Sequence, residues 1–378
     1  AILHDPRVKF RPSPNARLPA ATSDIPEVTV RRQSHTLMPP TYAVPRWFSA
    51  ALFSGALLVA FWQSPAADTA AFEPPPPPAK SDLPVTLSTG MLPKAGNSAG
   101  ASSLAQLPDG RIAAAWLANS GDDGRSAAIW FSRLGKNGWS KPVPIANRES
   151  TASGIFANVG QLSGPVLYAE GSWLHLWYAS TTLGDNGGSA INHSVSTDAG
   201  ESWMKPTRLQ TSPFANNSTH IQSPPVPLRD GGLGLPIYHD FIARHGEWLR
   251  LSATGQILDK VRMINDVPTL QPSVIALDEQ RAIAALHDTG PGPGKVRIAI
   301  TRDGGQRWQD EETASIPNPN TPVALIRLNS GQLLLAGNGQ EGRGALSLWL
   351  SADEGKSWQA SRTVEAAADG GAEFSAPV

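Results

Sequence analysis

A short motif recurs along this chain of 378 residues and limits the folds that the chain can adopt. It places a serine or threonine, an aspartate, a glycine and a tryptophan at fixed offsets. Clear copies begin at Ser196, Thr301 and Ser351, and a fourth at Ser132 has leucine in the aspartate position. The interval between the copies at 196 and 301 is about twice the interval between those at 301 and 351, which predicts a decayed copy at 252–255. Such spacing indicates one supersecondary unit that is repeated along the chain.

Each copy is predicted to form the turn of a β-hairpin. Alternating apolar runs flank the last copy, "GALSLWL" before it and "ASRTVE" after it, as expected for strand, turn and strand. Glycine allows positive φ in the turn, and aspartate and serine side chains bond to turn amides. The tryptophan provides a large apolar face between neighbouring sheets. The motif is therefore interpreted as a folding device, and its aspartates as structural.

The copies resemble the Asp boxes of the sialidase (neuraminidase) superfamily, which includes bacterial BNR-repeat proteins. From about residue 98 onward, "LPDGRIAAAW", "DGGLGLPIYHDF", "LQPSV" and "NSGQLLLAGN" are similar to the bacterial BNR-like group. The resemblance implies an all-β fold, a six-bladed β-propeller over 86–378. First strands are assigned near 101, 164, 224, 272, 322 and 374. Because the chain stops inside the sixth unit, we expect an incomplete last blade.

The N-terminal region predicts attachment to a membrane. Residues 1–45 are rich in proline, lack periodicity and are interpreted as a disordered cytoplasmic tail. The run 47–62 is uncharged, apolar and preceded by arginines, which predicts a transmembrane or signal-anchor helix over 46–63. The alternative is a signal peptide cleaved near "SPAAD". Residues 64–85 are predicted as a proline-rich linker that holds the propeller on the periplasmic or extracytoplasmic side of the membrane.

Composition excludes several kinds of site. The chain has no cysteine, so disulfides, thiolate metal sites and cysteine nucleophiles are excluded. Its 8 histidines show no metal-ligand spacing, and we expect no metal or other cofactor. The net charge of -1 gives no reason to expect a nucleic-acid partner. The partners expected from the resemblance and from the N-terminal run are a glycan and a membrane; the oligomeric state is left open.

Candidate site residues follow from the propeller topology. If the boxes join third to fourth strands, the opposite face carries the starts of first strands and the loops between second and third strands. Loops on a rigid scaffold often hold binding sites, although loops are polar in any case. The substrate-binding candidates on this face are Arg125, His239, Asp240, Gln271, His287, Asp288, Asn338, Glu341 and Arg343.

Only part of the catalytic set that the resemblance implies is present. A sialidase has three arginines that clamp a carboxylate, an aspartic acid as the proton donor, and a tyrosine activated by a glutamate. Arg343 matches the third arginine, and Asp122 or Asp123 matches the acid. The second arginine is replaced by His287.

The other positions of that set have no match. The first arginine falls near Gly100, the glutamate near Gln271 and the tyrosine near Ala376. The full sialidase mechanism is therefore not expected.

Three functions stay open. The leading one is an exo-glycosidase of the sialidase superfamily that acts on an extracytoplasmic glycan, with Asp122 or Asp123 as acid. The base would then be one of Asp240, Asp288, Glu341 and Glu373. A polysaccharide lyase would use Tyr238 or His239 as base. The non-enzymatic alternative is a carbohydrate-binding or envelope-polysaccharide assembly propeller. The catalytic candidates are Asp122, Asp123, Tyr238 and Glu373.

Overall fold

The chain divides into two units, Ala1–Ala66 and Ala67–Val378. The computed structural model describes residues 45–62, 70–78, 90–119, 126–182, 188–212, 218–292, 294–311, 315–318, 321–339 and 343–366. The described part of the first unit is a helix, α1 (Arg46–Trp62), with its preceding residue. The described part of the second unit is almost entirely β-structure.

The transmembrane prediction for 46–63 is wrong. No helix within the described ranges is both long enough and apolar enough to cross a membrane. Helix α1 has 17 residues, which at ~1.5 Å per residue gives a length shorter than the ~30 Å hydrocarbon core. The helix is apolar, as predicted, but it is shorter than a membrane-spanning helix.

The described residues of the second unit form five antiparallel sheets, which we call blades 1 to 5 in chain order. Blade 1 comprises β1 (Ser98–Gln106), β2 (Ile112–Asn119), β3 (Ala127–Gly135), β4 (Gly138–Trp139) and β5 (Val143–Asn147). Helix α2 (Arg148–Ile155) leads to blade 2, with β6 (Gln161–Glu170), β7 (Trp173–Thr181), β8 (Ser189–Ser196) and β9 (Thr207–Arg208). Blade 3 comprises β10 (Thr219–Ile221), β11 (Val226–Pro227), β12 (Leu233–His239), β13 (His245–Leu251) and β14 (Ile257–Arg262). Blade 4 comprises β15 (Thr269–Ala276), β16 (Ala282–Asp288), β17 (Arg297–Thr301) and β18 (Gln309–Asp310). Blade 5 comprises β19 (Ala324–Arg327), β20 (Leu333–Asn338), β21 (Ala345–Ser351) and β22 (Gln359–Ala366).

The all-β propeller is confirmed, but the prediction of six blades is wrong. The five sheets use every strand that the structure describes, so no described strand remains for a sixth blade. The first strand of the sixth blade was inferred from a run that begins near 374, which lies outside the described residues. A single apolar run is weak evidence for a blade, because each blade needs several hydrogen-bonded strands.

The hydrophobic cores lie between neighbouring blades. Strand β16 shows this, because Ile283 and Ala285 pack with residues of blade 5, whereas Ala284 and Leu286 pack with residues of blade 3. All four side chains are fully buried. Alternate residues of a strand point to opposite faces, so a strand buried on both faces has a continuous apolar sequence. Consecutive blades are also joined by hydrogen bonds, such as that from the Leu325 amide to Ser273 Oγ at 3.0 Å.

The repeated motif forms the turns between third and fourth strands, as predicted. In the last copy, Ser351 Oγ donates to Asp353 Oδ1 at 2.8 Å, and the Gly355 amide donates to Ser351 Oγ at 2.8 Å. The Ser357 amide donates to Asp353 Oδ1 at 2.9 Å. The decayed copy at 252–255 occupies the corresponding turn of blade 3, between β13 and β14. The role of the motif is therefore structural.

A segment before blade 1 packs against blades 3 and 4. We call residues 70–78 the strap. The Phe72 amide donates to the Glu279 carbonyl at 2.8 Å, and the Glu73 amide donates to the Pro227 carbonyl at 3.0 Å. The Phe72 ring is fully buried and lies 5.8 Å from the Trp248 ring, centroid to centroid. The strap belongs to the region predicted as a linker, whose boundaries stay a prediction.

Candidate functional site

A polar cavity of about 430 Å³ brings together residues from four blades, and we call it the mouth. Its position matches the face predicted for a site, because its lining comes from the starts of first strands and the ends of second strands. The lining residues are Ala101, Gln222, Tyr238, Asp240, Arg244, Leu270, Gln271, His287, Pro322 and Arg343.

Two irregular strands form part of the mouth wall. Strand β1 has a register shift between Gly100 and Ser102, and Ala101 has a φ of 36°. Strand β15 has a shift between Leu270 and Ser273, and Gln271 has a φ of 50°. Bulges redirect side chains, and left-handed backbone at residues other than glycine is uncommon and concentrated at functional sites. A bulge near the start of the first strand thus directs residues of blades 1 and 4 towards the mouth.

Tyr238 is a protonated hydrogen-bond donor in the mouth. Its ring stacks on the buried His220 ring at 5.2 Å between centroids, with an angle of 18° between planes. Burial raises the pKa of the Tyr238 hydroxyl well above its ordinary value, although a hydrogen bond from the Gln271 side-chain amide opposes the shift and the Asp240 charge adds to it. Burial also lowers the pKa of His220. Both side chains are therefore uncharged near neutral pH.

Asp240 supplies a carboxylate, and it is held in place. Arg244 Nε lies 3.0 Å from Asp240 Oδ1. The Asp240 side chain is 20% exposed, whereas that of Arg244 is 49% exposed. The Asp240 amide donates to the Ser218 carbonyl at 3.2 Å. The carboxylate is therefore anchored through its backbone, and its cationic partner lies nearer the solvent.

Amide and cationic groups complete the mouth. Gln271 Nε2 donates a hydrogen bond to Gln222 Oε1, which links blades 3 and 4. His287 lies one residue before the end of β16, pairs with Leu270 of β15 and is only 5% exposed. Arg343 comes from the connection between β20 and β21. The mouth can thus offer donors and acceptors of both neutral and charged kinds.

Three predicted site residues lie outside the mouth lining within the described part of the chain. The His239 ring stacks on His245 at 5.1 Å. Asp288 accepts hydrogen bonds from Arg297 Nε at 3.0 Å and from the Gly290 amide at 2.7 Å. Asn338 Nδ2 donates to the Ala345 carbonyl at 2.9 Å. Asp288 and Asn338 therefore stabilise their own loops.

The remaining predicted site residues lie outside the described residues. They are Asp122, Asp123, Arg125, Glu341 and Glu373. Their roles stay predictions from sequence.

Gln222 lines the mouth and His220 stacks on Tyr238, but neither was among the sequence-based candidates. The first strand of blade 3 was assigned to "PPVPLR", near 224, because that run is apolar. The structure places β10 at Thr219–Ile221, where His220 pairs with Tyr238. The alternating "STHIQ" was the available signal, and the prolines that follow it obscured the strand.

Within the described ranges, no group of three or more histidine, aspartate or glutamate side chains could hold a metal ion.

The model of the BNR repeat-like domain matches residues 110–378 of this chain, which is more than half of it. The chain belongs to the BNR repeat-like family. The match begins in blade 1 and includes the strands of blades 2 to 5. No curated protein matches the chain.

Solved structures similar to this BNR repeat-like protein include several sialidases. The Hadza microbial sialidase Hz136 superposes with a TM-score of 0.60 at 15% identity, covering 72% of this chain and 60% of that one. The NanB sialidase from Streptococcus pneumoniae gives 0.59 at 12% identity, covering 76% and 66%. The intramolecular trans-sialidase from Ruminococcus gnavus gives 0.55 at 13% identity, covering 71% and 85%. At these identities the similarity shows the fold alone, and this chain spans about three fifths of the first of these structures.

The positions aligned with the sialidase set lie together in space. Ala101, which follows Gly100, lines the mouth together with Gln271, His287 and Arg343. These residues come from the first, fourth and fifth blades and are far apart in sequence. Of these four residues, only Arg343 keeps the residue type that the resemblance implies, and the positions matched to the acid and to the tyrosine lie outside the described residues.

Proposed function

We propose that this BNR repeat-like protein binds the end of a glycan in the mouth and hydrolyses a glycosidic bond there with two carboxylates. The observation that supports it most directly is that Asp240 shares one cavity with Arg343, Gln271 and Tyr238. The cavity volume of about 430 Å³ lies in the range of small-ligand sites. Amide, hydroxyl and guanidinium groups would hold the sugar hydroxyls, and the carboxylate would activate water.

The mouth argues against a tyrosine nucleophile. Ionised phenolate is the reactive form, and the raised pKa of Tyr238 keeps its hydroxyl protonated. Gln271, in the position of the activating glutamate, is uncharged and takes up no proton. Tyr238 therefore orients the sugar as a donor. The same argument speaks against Tyr238 as the base of a lyase.

Among the described carboxylates proposed as base, Asp240 fits best. Asp288 lies in an ion pair with Arg297 and bonds to a turn amide, so its oxygens are occupied by structural contacts. Asp240 lines the mouth, and its partner Arg244 is half-exposed. The acid would be Asp122 or Asp123, as the sequence predicts. Inverting and retaining glycosidases both use a pair of carboxyl groups across the scissile bond.

The neighbouring structures support a glycan as the ligand. Two of them are named as sialidases and a third as a trans-sialidase solved with oseltamivir carboxylate. The location of the glycan outside the cytoplasm rests on sequence only and stays a proposal.

A second function, glycan binding without catalysis, is favoured by one observation. Asp240 is the one carboxylate that lines the mouth among the described residues, and Arg244 neutralises it. Hydrolysis by this route needs a second carboxylate. If Asp122 and Asp123 contribute none, the mouth is a binding site.

The test is turnover of a panel of aryl glycosides, sialosides included, by the full chain and by Asp240→Asn. The matched control is Asp109→Asn, because Asp109 lies in the turn between β1 and β2 on the opposite face. We expect the mouth variant to lose about 100-fold or more in kcat/KM, the usual contribution of general acid–base catalysis. The control should stay near the wild-type value.

Four results are decisive. Turnover that depends on Asp240 supports the hydrolase. Binding of a glycan without turnover supports the second function. Turnover that is equal in Asp240→Asn and the wild type would reject Asp240 as the base, and the absence of both turnover and binding would reject both functions.

A further inference from the structure

A second and larger cavity adjoins the mouth. It has a volume of about 660 Å³ and is lined by residues 90–102, Trp116 and Gln222; we call it the side cavity. It shares Ala101 and Gln222 with the mouth, so the two cavities adjoin at these residues.

The wall of the side cavity is fixed to blade 1. The Asn97 amide donates to the Asn119 carbonyl at 2.7 Å. A Cβ added at Gly96 would lie 2.5 Å from the Asn119 oxygen, so only glycine allows this close approach. Ala95 is buried against Ala114 and Trp116 of blade 1. The segment 90–97 is thus held against blade 1 by backbone bonding and packing.

The side cavity differs from the mouth in chemical character. Its side chains are mostly apolar, from Met91, Leu92, Ala99 and Trp116 among others, and its lining contains no acidic residue. Met91 is 90% exposed, so its side chain is accessible to a ligand. A mostly apolar cavity beside converging polar groups is the common form of a ligand site.

We propose that the side cavity binds the apolar aglycone of a glycoside whose sugar occupies the mouth. The inference rests on the proposed function of the mouth, because it takes the sugar as the polar half of the same ligand. Transfer of an apolar chain from water into the side cavity is favourable in proportion to the area buried. The ligand class is therefore a glycan end or glycoside that carries an alkyl, lipid or aryl group.

Gly100 provides a variant that blocks the cavity. It lines the side cavity, and a Cβ added there meets no atom within 4 Å. Gly100→Phe would therefore add a ring at the wall of the side cavity without a backbone clash. The matched control is Gly135→Phe, in the same blade but at the turn between β3 and β4, where the nearest atom to an added Cβ lies 3.8 Å away.

The first experiment compares alkyl glycosides, from methyl to octyl, of the sugar that the aryl panel selects. The full chain should bind each longer homologue about two- to fourfold more tightly per methylene until the cavity is filled. In Gly100→Phe the ratio of octyl to methyl affinity should fall to about one, and in Gly135→Phe it should stay at the wild-type value. Equal affinities for methyl and octyl homologues in the wild type, or an octyl preference that Gly100→Phe retains, would overturn the proposal.

A second experiment separates the two proposals. Displacement of the fluorescent dye 1-anilinonaphthalene-8-sulfonate by 1-octanol reports apolar binding without any sugar. Displacement in the wild type and Gly135→Phe but not in Gly100→Phe supports an apolar site even if the mouth binds no glycan. Identical dye binding in all three proteins overturns the proposal. A molecular mass that rises with protein concentration, and no longer does so in Gly100→Phe, also overturns it, because the occupant would then be a second copy of the chain.

Discussion

At the scale of single residues, burial sets the ionisation of the tyrosines. Burial raises the pKa of Tyr168 to about 12 and that of Tyr178 to about 12, and it raises that of Tyr238 further. Each neutral phenol is favoured by removal from water. Because these pKa values lie above the unfolded value near 10, the stability that they contribute is lost as the pH rises above about 10.

A spectrophotometric titration of the 4 tyrosines tests this effect. We expect Tyr238→Phe and the wild type to give the same phenolate absorbance up to about pH 11, because Tyr238 stays protonated there. A loss of one titrating group below pH 11 in the variant would show that Tyr238 ionises readily, and the tyrosine nucleophile would then return as a candidate.

The pKa values of aspartates in the repeated motif are shifted in the opposite direction, downwards. Hydrogen bonds from Ser202 and Ser196 lower the pKa of Asp198 to about 2, and those from Ser357 and Ser351 lower that of Asp353 to about 2. A lowered pKa contributes stability above the unfolded value, and this contribution is lost as the pH falls from about 4 to about 2. These carboxylates therefore make the stability of the folded protein more sensitive to acid.

Urea unfolding between pH 2 and pH 7 measures this contribution. The Asp198→Asn, Asp353→Asn double variant should be less stable than the wild type at pH 7. The difference between the two proteins should be constant above about pH 5 and shrink towards pH 2. A difference that does not change with pH would mean that the charge of these aspartates is irrelevant to the turns.

At the scale of elements, the strap is expected to stabilise the propeller. Phe72 is fully buried among Trp248, Ala276 and other residues of blades 3 and 4. Phe72→Ala should lower the free energy of unfolding by about 3–5 kcal/mol, through lost burial and the cavity left behind. Pro76→Ala, an exposed change in the same segment, is the control and should change it by less than about 0.5 kcal/mol. Equal stability of Phe72→Ala and the control would show that the strap is not part of the folded unit.

The glycine of the motif permits close packing of blade on blade. Gly305 has a φ of 89°, and a Cβ there would lie 2.5 Å from Trp248 Nε1 of blade 3. Gly231 has a similar φ of 79°, but its nearest neighbour would be 3.5 Å away. Gly231→Ala should therefore show only the backbone penalty of about 1–2 kcal/mol.

Gly305→Ala should be less stable than Gly231→Ala by about a further 1–3 kcal/mol, because it also overpacks the interface. Chemical denaturation of both variants gives the difference. Equal losses in the two variants would mean that the interface accommodates the added methyl group.

The elements were predictable where local signals were strong. The turns of the motif follow from side chains a few residues apart, and five of the assigned first strands lie at or near β1, β6, β11, β15 and β19. The inner strand β10 was missed, because prolines interrupt the run that contains it. The predicted transmembrane helix and the sixth blade were wrong, because an apolar run gives neither the length of a span nor the partners of a strand.

At the scale of the whole molecule, the location of the site was predictable but its composition only in part. Topology places strand ends from different blades at one face, and Tyr238, Asp240, Gln271, His287 and Arg343 indeed line the mouth. Sequence alone does not tell which loop residues turn inward, and the predicted site residues Asp288 and Asn338 form hydrogen bonds within their own loops. The side cavity escaped prediction because its wall depends on the packing of 90–97 against blade 1.

The measurement that tests the central claim most directly is a glycan array, followed by calorimetric titration of the best ligand. It should compare the full chain, the Gln271→Ala, Arg343→Ala double variant and the control Asp109→Asn. We predict that the wild type and the control bind the same glycan and that the double variant binds it at least about tenfold more weakly, a loss of ~1.4 kcal/mol. Undiminished binding by the double variant, or no glycan bound by the wild type, would contradict the assignment of the mouth as a glycan site.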